Sequence, residues 1–152
     1  IALMTVGGWA HAQTSPAKPA AIEAIGKGVQ IYTCKASNGA YAWMLKAPDA
    51  SLSDASGHVI GKHFAGPSWQ ATDGSTVVGE PLNASSSPSA GAIPWLVLHA
   101  KSHAGEGVMA NVQYIVRTRT QGGVAPSSGC DANHAGAEIR VPYSATYVFF
   151  RG

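Results

Sequence analysis

The stretch Ser68–Gly79 has the sequence SWQATDGSTVVG, in which an Asp-Gly pair separates two short segments rich in β-forming residues. Asp-Gly between such segments is the strongest short-range signal for a β-hairpin, because both residues tolerate the positive φ angles of a tight turn. We therefore predict strands over residues 68–72 and 75–79, joined at Asp73-Gly74. The hairpin points to a β-sheet protein, and the flanking sequence extends the pattern.

Further strand signals lie on both sides of this hairpin. Upstream, residues 29–34 and 41–45 flank the turn sequence Ser37-Asn38-Gly39. Downstream, the β-branched and aromatic composition of core strands occurs in residues 93–100, 112–120 and 142–150. No segment shows helical periodicity. We predict an all-β domain of about eight to ten short strands in a two-sheet β-sandwich, with jelly-roll connectivity as one variant.

The composition agrees with one β-rich domain. The 152 residues include 20 Val and Ile against 6 Leu, together with 18 Gly and 9 Pro, which favours pleated, turn-rich structure over helices. Hydrophobic residues make up 45% of the chain, enough for a core. Lys and Arg total 10 and Asp and Glu total 8, so the charge is too balanced for a dedicated binder of nucleic acid or anionic membranes.

The amino-terminal residues predict export. Residues 1–12 (IALMTVGGWAHA) are uncharged and mostly apolar, and they end in the small-x-small pattern that signal peptidase recognises. We interpret them as the tail of a truncated signal peptide, the alternative being a short buried strand or helix. Residues 13–27 form a linker rich in Pro and Ala, and the folded domain occupies residues 28–152. We expect a secreted or periplasmic protein with no integral membrane segment in its mature chain.

Two cysteines, Cys34 and Cys130, agree with export, because two thiols in one small exported domain are usually paired. We predict a disulfide between them. The alternatives are a catalytic thiol or half of a metal site, but the chain has no CxxC motif and His134 is the one histidine near either cysteine. No metal and no cofactor is predicted.

Several phrases at consistent spacing resemble the family called domain of unknown function 3455. They are GVQIYTC (28–34), HFAGPSW (63–69), DGS (73–75), IPWL (93–96), TQGGVAP (120–126) and VPYSA (141–145). The resemblance covers residues 28–151 and implies a secreted or envelope-associated protein of bacteria or fungi. It implies no activity that can be transferred residue by residue.

Some fungal members of that family carry the label malate dehydrogenase, which we do not expect to apply. A nicotinamide dehydrogenase needs a strand, a glycine turn and a helix that holds the pyrophosphate. The one glycine-rich match, residues 105–110 (GEGVMA), leads into a predicted strand and is better explained as a hairpin turn. The chain is also too short for a dinucleotide domain and a substrate domain.

Candidate site residues concentrate in residues 58–73. His63 near the carboxylate of Asp73, with His58 close by, could act as a general base or hold a metal with added ligands. Trp69 is a candidate ligand contact. The structural alternatives are a histidine that hydrogen-bonds a loop, a core tryptophan, and an aspartate that serves only the turn.

Two further strands carry candidate ligand contacts. The alternation along residues 93–103 places Trp95 and His99 on one face, with Leu96 and Leu98 on the core face, and a tryptophan beside polar donors can hold a sugar ring. Arg117 could bind a carboxylate or sulfate. The alternatives are that Trp95 fills the core and that Arg117 has a buried carboxylate partner.

The leading functional hypothesis is a binding or structural module for envelope or extracellular polysaccharide. We expect the 63–73 hairpin and the 121–130 loop to lie at one end of the fold and to form its ligand-facing surface, because recognition residues on a rigid sheet usually lie in loops. The alternative is a small hydrolase or metal-dependent enzyme that uses His63 and Asp73. The chain has no GxSxG or HExxH motif, so the expectation leans against an enzyme.

Overall fold

The computed structural model describes residues 20–152. Each strand in this range pairs antiparallel with the next along the chain, and the last pairs with the first, so one sheet closes on itself as a barrel. The strands are β1 (Ala21–Ser37), β2 (Ala40–Ser53), β3 (Val59–Phe64), β4 (Ser68–Ala71), β5 (Thr76–Ser85), β6 (Trp95–Ala104), β7 (Val112–Gly122) and β8 (Glu138–Arg151). A short 3-10 helix, Ala132–His134, precedes β8.

The all-β prediction is confirmed, and eight strands fall within the predicted number. The division into two sheets is not confirmed, because the eight strands belong to one closed sheet in sequential order. Sequential neighbours also differ from jelly-roll connectivity. The closing contact is extensive: β1 and β8 pair from Ala21 with Phe150 to Thr33 with Glu138, which leaves neither strand with a free edge.

The first strand begins at Ala21, whereas we expected the folded domain to begin at Gly28. Residues 21–27 therefore belong to the sheet. Their inward positions are occupied by Ile22, Ala24 and Gly26, of which Ala24 and Gly26 are buried, and the missing side chain of Gly26 leaves room for the ring of Tyr147. The predicted signal peptide and residues 13–19 of the predicted linker lie outside the described residues.

Both predicted tight turns are present. Asn38 and Gly39 join β1 to β2 with φ angles of 51° and 78°, as a primed two-residue hairpin turn requires. Asp73 and Gly74 lie between β4 and β5, and the Gly74 amide donates to the Ala71 carbonyl at 3.0 Å. The predicted hairpin around Asp73-Gly74 is therefore formed.

Large side chains fill the middle of the barrel. The largest of those that are almost completely buried are Trp69, Tyr147, Phe149, Leu52, Leu98 and Ile115. The aromatic members contact one another edge to face, with ring centroids 5.8 Å apart for Trp69 and Tyr147 and 6.1 Å apart for Trp69 and Phe149. This layer separates the two ends of the barrel interior.

The predicted disulfide between Cys34 and Cys130 is confirmed, with the two Cα atoms 5.3 Å apart. It attaches the loop between β7 and β8 to the end of β1. Two backbone hydrogen bonds reinforce the attachment: the Cys34 amide donates to Ala137, and the Gly136 amide donates to Cys34. No helix among the described residues has the length and apolar character needed to cross a lipid bilayer.

Candidate functional site

The barrel has a cavity of different chemistry at each end. The polar cavity, of about 270 Å³, is lined by Gln30, His63 and Arg117 and by an apolar wall that includes Pro48, Leu96 and Leu98. The apolar cavity, of about 440 Å³, is lined mainly by hydrophobic side chains, among them Ile22, Leu52, Ala71, Met109 and Phe149, with Arg151 and Asp73 beside them. Ile22 and Gln30 are eight residues apart on β1, roughly 26 Å along an extended strand.

Gln30 points from β1 into the barrel interior. Only 3% of the residue is exposed, and its Oε1 has no hydrogen-bond partner within residues 20–152. Burial of an amide oxygen without a partner costs on the order of 1–3 kcal/mol. The polar cavity therefore contains an acceptor that a ligand donor could satisfy.

His63 lies in the same cavity and is 3% exposed. Its Nδ1 lies 2.8 Å from the Ser68 carbonyl oxygen, which can only accept, so Nδ1 carries the ring proton and Nε2 is left as an acceptor. Burial lowers the pKa of His63 to about 4, the nearby Arg117 charge acts in the same direction, and the Ser68 hydrogen bond opposes both. His63 is therefore neutral at physiological pH.

Arg117 supplies the charge of the polar cavity. Its Nε and Nη2 donate to the Pro94 carbonyl at 3.0 and 2.8 Å, which fixes the orientation of the guanidinium. Within residues 20–152 no carboxylate lies close enough to Arg117 to form a salt bridge, and no carboxylate lines the cavity. Lys46, the other cation of the lining, is paired with Glu138. The cavity is consequently positive and suits an anion.

Three tyrosines next to this cavity were not singled out from the sequence. The Tyr143 and Tyr147 hydroxyls lie 3.0 Å apart, and the Tyr32 hydroxyl donates to the Gly123 carbonyl. Burial raises the pKa of all three phenols, so they remain protonated. The spacing of Tyr143 and Tyr147 could have indicated this pair, because residues four apart lie on the same face of a strand.

The structure brings His63 and Arg117 together and places the other predicted contacts elsewhere. Trp69 is 1% exposed and stacks on His63 in the core, so it presents no face to a ligand. Trp95 and His99 lie on the outer face of β6, opposite the inward Leu98, and His99 contacts Tyr114 with ring centroids 5.4 Å apart. They share no cavity with His63.

Asp73 is not near His63. It lies in the β4–β5 turn and lines the apolar cavity, whereas His63 pairs with Trp69 of β4 and lines the polar cavity at the other end of the barrel. Its carboxylate accepts hydrogen bonds from the Ser75 amide and hydroxyl and from the Val108 amide, and these bonds lower its pKa. Asp73 therefore anchors the β6–β7 connection at the apolar end.

The two loops expected to lie together do so in part. Gly66 and Pro67 of the β3–β4 turn line the polar cavity, and Gly123 of the loop after β7 lies against Gln30, so both belong to one end of the barrel. Asp73 lies at the other end. Residues 105–110 connect β6 to β7, as expected for a hairpin turn. Within residues 20–152 no group of three His, Cys, Asp or Glu side chains is arranged to hold a metal ion.

The family described as "Protein of unknown function (DUF3455)" matches residues 15–151, which include all eight strands and both cavities. No curated protein and no solved structure gave a significant match. Since the family match covers most of the sequence and every strand of the barrel, the chain belongs to the DUF3455 family.

Proposed function

We propose that this domain is an exported binding protein whose polar cavity holds one acidic sugar unit of an envelope or extracellular polysaccharide. One observation carries the proposal: three complementary polar groups meet in a single cavity. They are the Arg117 guanidinium, the buried Gln30 Oε1, and Nε2 of neutral His63.

These groups match the chemistry of a sugar acid. Gln30 Oε1 and His63 Nε2 accept hydrogen bonds from sugar hydroxyls, and Arg117 donates to the carboxylate in a charge-assisted contact. The apolar wall, which includes Pro48 and Leu96, faces the C–H side of the ring. A volume of about 270 Å³ lies just below the usual range of ~300–1,000 Å³ for drug-sized ligands, so the cavity suits one ring of a chain.

Export is supported by the disulfide between Cys34 and Cys130, since such bonds persist mainly in oxidising compartments. The apolar residues 1–12 suit a signal peptide that leads to the same compartments. A protein in the envelope or outside the cell would meet polysaccharides that contain uronic acids, which are the ligand class proposed here.

Titration calorimetry with galacturonate and glucuronate, against galactose and glucose, tests the proposal. We expect the acidic sugars to bind at least tenfold more tightly than the neutral ones, and Arg117→Gln to remove that preference. Arg117→Lys keeps the positive charge and should retain part of the preference for acidic sugars. Arg119→Gln is the matched control, because Arg119 is exposed and lines neither cavity. Equal binding of neutral and acidic sugars, or no binding of either, would contradict the proposal.

A further inference from the structure

The apolar cavity is a second space large enough for a small molecule. It lies where β1 begins and β8 ends, and its volume of about 440 Å³ falls within the usual range for ligand pockets. Ile22, Leu52, Ala71 and Phe149 supply its walls, and Met109 is held in place from the β6–β7 connection. Transfer of an aliphatic chain from water into such a lining is favourable, and the gain grows with each methylene group that is buried.

Two charged residues line this cavity, and only one is free to recognise a ligand. Asp73 is already engaged by the amides of Ser75 and Val108 and by the Ser75 hydroxyl. Arg151 forms no salt bridge with any carboxylate in residues 20–152, and its buried Nε has no hydrogen-bond partner there. A buried N–H of a charged group without a partner is costly, so the unpaired Nε of Arg151 favours an anionic group that reaches this guanidinium.

The number of charges on that group is restricted by Asp73. Its carboxylate lines the same cavity as Arg151. Among the described residues Arg151 is the one cation of the lining, so the second charge of a doubly charged head group would have no cation to pair with and would be repelled by Asp73. A single carboxylate attached to a hydrocarbon chain therefore fits the cavity best.

We propose that the apolar cavity binds a single-chain aliphatic carboxylate, with the hydrocarbon chain between Leu52 and Phe149 and the carboxylate on the Arg151 guanidinium. This site lies at the opposite end of the barrel from the polar cavity and shares no lining residue with it. It does not rest on the proposed sugar site. The ligand chemistry follows from an apolar wall and one unpaired cation.

Titration of the delipidated protein with dodecanoate and with dodecanol, which has the same chain without the charge, tests the proposal. We expect one dodecanoate per protein and binding at least tenfold tighter than that of dodecanol. Arg151→Gln should bring the affinities for the two ligands to within a factor of about two. Arg151→Lys should keep part of the difference in affinity, and Arg119→Gln should keep all of it. Absence of dodecanoate binding, or equal binding of both ligands by the unaltered protein, would overturn the proposal.

Filling the cavity gives an independent check of where the chain binds. Ala71→Phe should abolish binding of both ligands, because the new ring occupies the space between the walls. If Ala71→Phe does not fold, Val108→Trp replaces it in the experiment. This variant changes an exposed residue on the rim of the cavity and should weaken the binding of both ligands at least tenfold. Dodecanoate binding of unaltered strength in either folded variant would overturn the proposal. Uronate binding at the polar cavity should be unchanged in Arg151→Gln, so the two proposals fail separately.

Discussion

Gly79 lies so close to the indole of Trp69 that a Cβ atom on this glycine would be 2.9 Å from Cζ3 of the ring. Real Cβ atoms do not approach a ring carbon so closely, and Trp69 is 1% exposed with no space to move into. Gly79→Ala should therefore lower the free energy of unfolding by about 1–3 kcal/mol, the usual cost of overpacking a core. Urea unfolding followed by tryptophan fluorescence measures it.

The double variant Gly79→Ala with Trp69→Phe tests the cause of that loss. The smaller phenylalanine ring leaves room for the new methyl group, so the double variant should lose less stability than the two single variants added together. Strictly additive losses, or an unaffected Gly79→Ala protein, would mean that the contact between Gly79 and Trp69 is not what restricts this position.

His63 makes stability depend on pH. Its folded-state pKa of about 4 lies below the value of about 6.5 expected in the unfolded chain, so the unfolded chain binds the extra proton between these pH values. The contribution of His63 to the free energy of unfolding is complete above pH 6.5 and is lost as the pH falls to 4. The total loss is about 3 kcal/mol. Urea unfolding between pH 7 and 4 should show this slope, and His63→Asn should flatten it.

Carboxyl groups with lowered pKa, such as that of Asp73, lose their contribution at lower pH, since their unfolded-state pKa is near 3.8. The window from pH 6.5 to 4 therefore separates the effect of His63 from theirs. An NMR titration gives the direct reading. A His63 imidazole that titrates near pH 6.5 would show that the ring is not buried as described.

Local features of this fold were predictable from the sequence because they depend on neighbouring residues alone. Asn38, Gly39 and Gly74 take the positive φ angles that their turns require, and such residues permit these angles whatever the rest of the chain does. The disulfide between Cys34 and Cys130 joins distant residues, and it followed from the cysteine count together with the predicted export. Closure of the sheet did not follow, because alternation within a strand says which residues share a face and not which distant strand pairs with it.

The site was predictable in part for a related reason. His63 and Arg117 stand out as polar residues inside apolar strands, but Trp95 and His99 give the same compositional signal and lie on the outer face of β6. Whether such a residue points into the barrel depends on which of the two alternating faces of its strand is turned inward. In β1 the apolar Val29 suggests the core side, whereas the structure turns Gln30 inward, because the barrel interior is polar at this end.

Asp73 should control the order of the β6–β7 connection. Its Oδ1 accepts from Ser75 and its Oδ2 accepts from the Val108 amide at 2.9 Å. In Asp73→Asn one of these oxygens becomes an NH₂ group, which cannot accept, so either Ser75 or Val108 loses its partner. We expect hydrogen exchange at the Val108 and Met109 amides to accelerate several-fold.

Asp54→Asn is the matched control for that experiment. Asp54 forms an equivalent turn, in which its carboxylate accepts from the Ser56 and His58 amides, and it has no contact with the β6–β7 connection. Exchange at Val108 should be unchanged in this variant. Equal acceleration in both variants would indicate a general loss of stability, contrary to a specific anchor at Asp73.

Loss of the disulfide should destabilise the barrel. Cys34 and Cys130 are 96 residues apart, and a cross-link across such a span contributes about 4.7 kcal/mol in the chain-entropy model. Replacing both cysteines with serine should lower the free energy of urea unfolding by up to that amount. Reduction of the unaltered protein should reproduce the effect, and an unchanged unfolding midpoint in both cases would contradict it.

The position of the same disulfide also alters the order in which the barrel can assemble. Seven of the eight strand pairings join neighbours along the chain, and only the pairing of β1 with β8 joins distant segments, beginning with Thr33 and Glu138, 105 residues apart. Through the bond between Cys34 and Cys130 the path from Thr33 to Glu138 shortens to about ten residues, which lowers the entropic cost of closing that loop by about 2 kcal/mol. In the oxidised chain the seam of the barrel is thus a local contact, comparable to a hairpin, and it can form as early as any other strand pair.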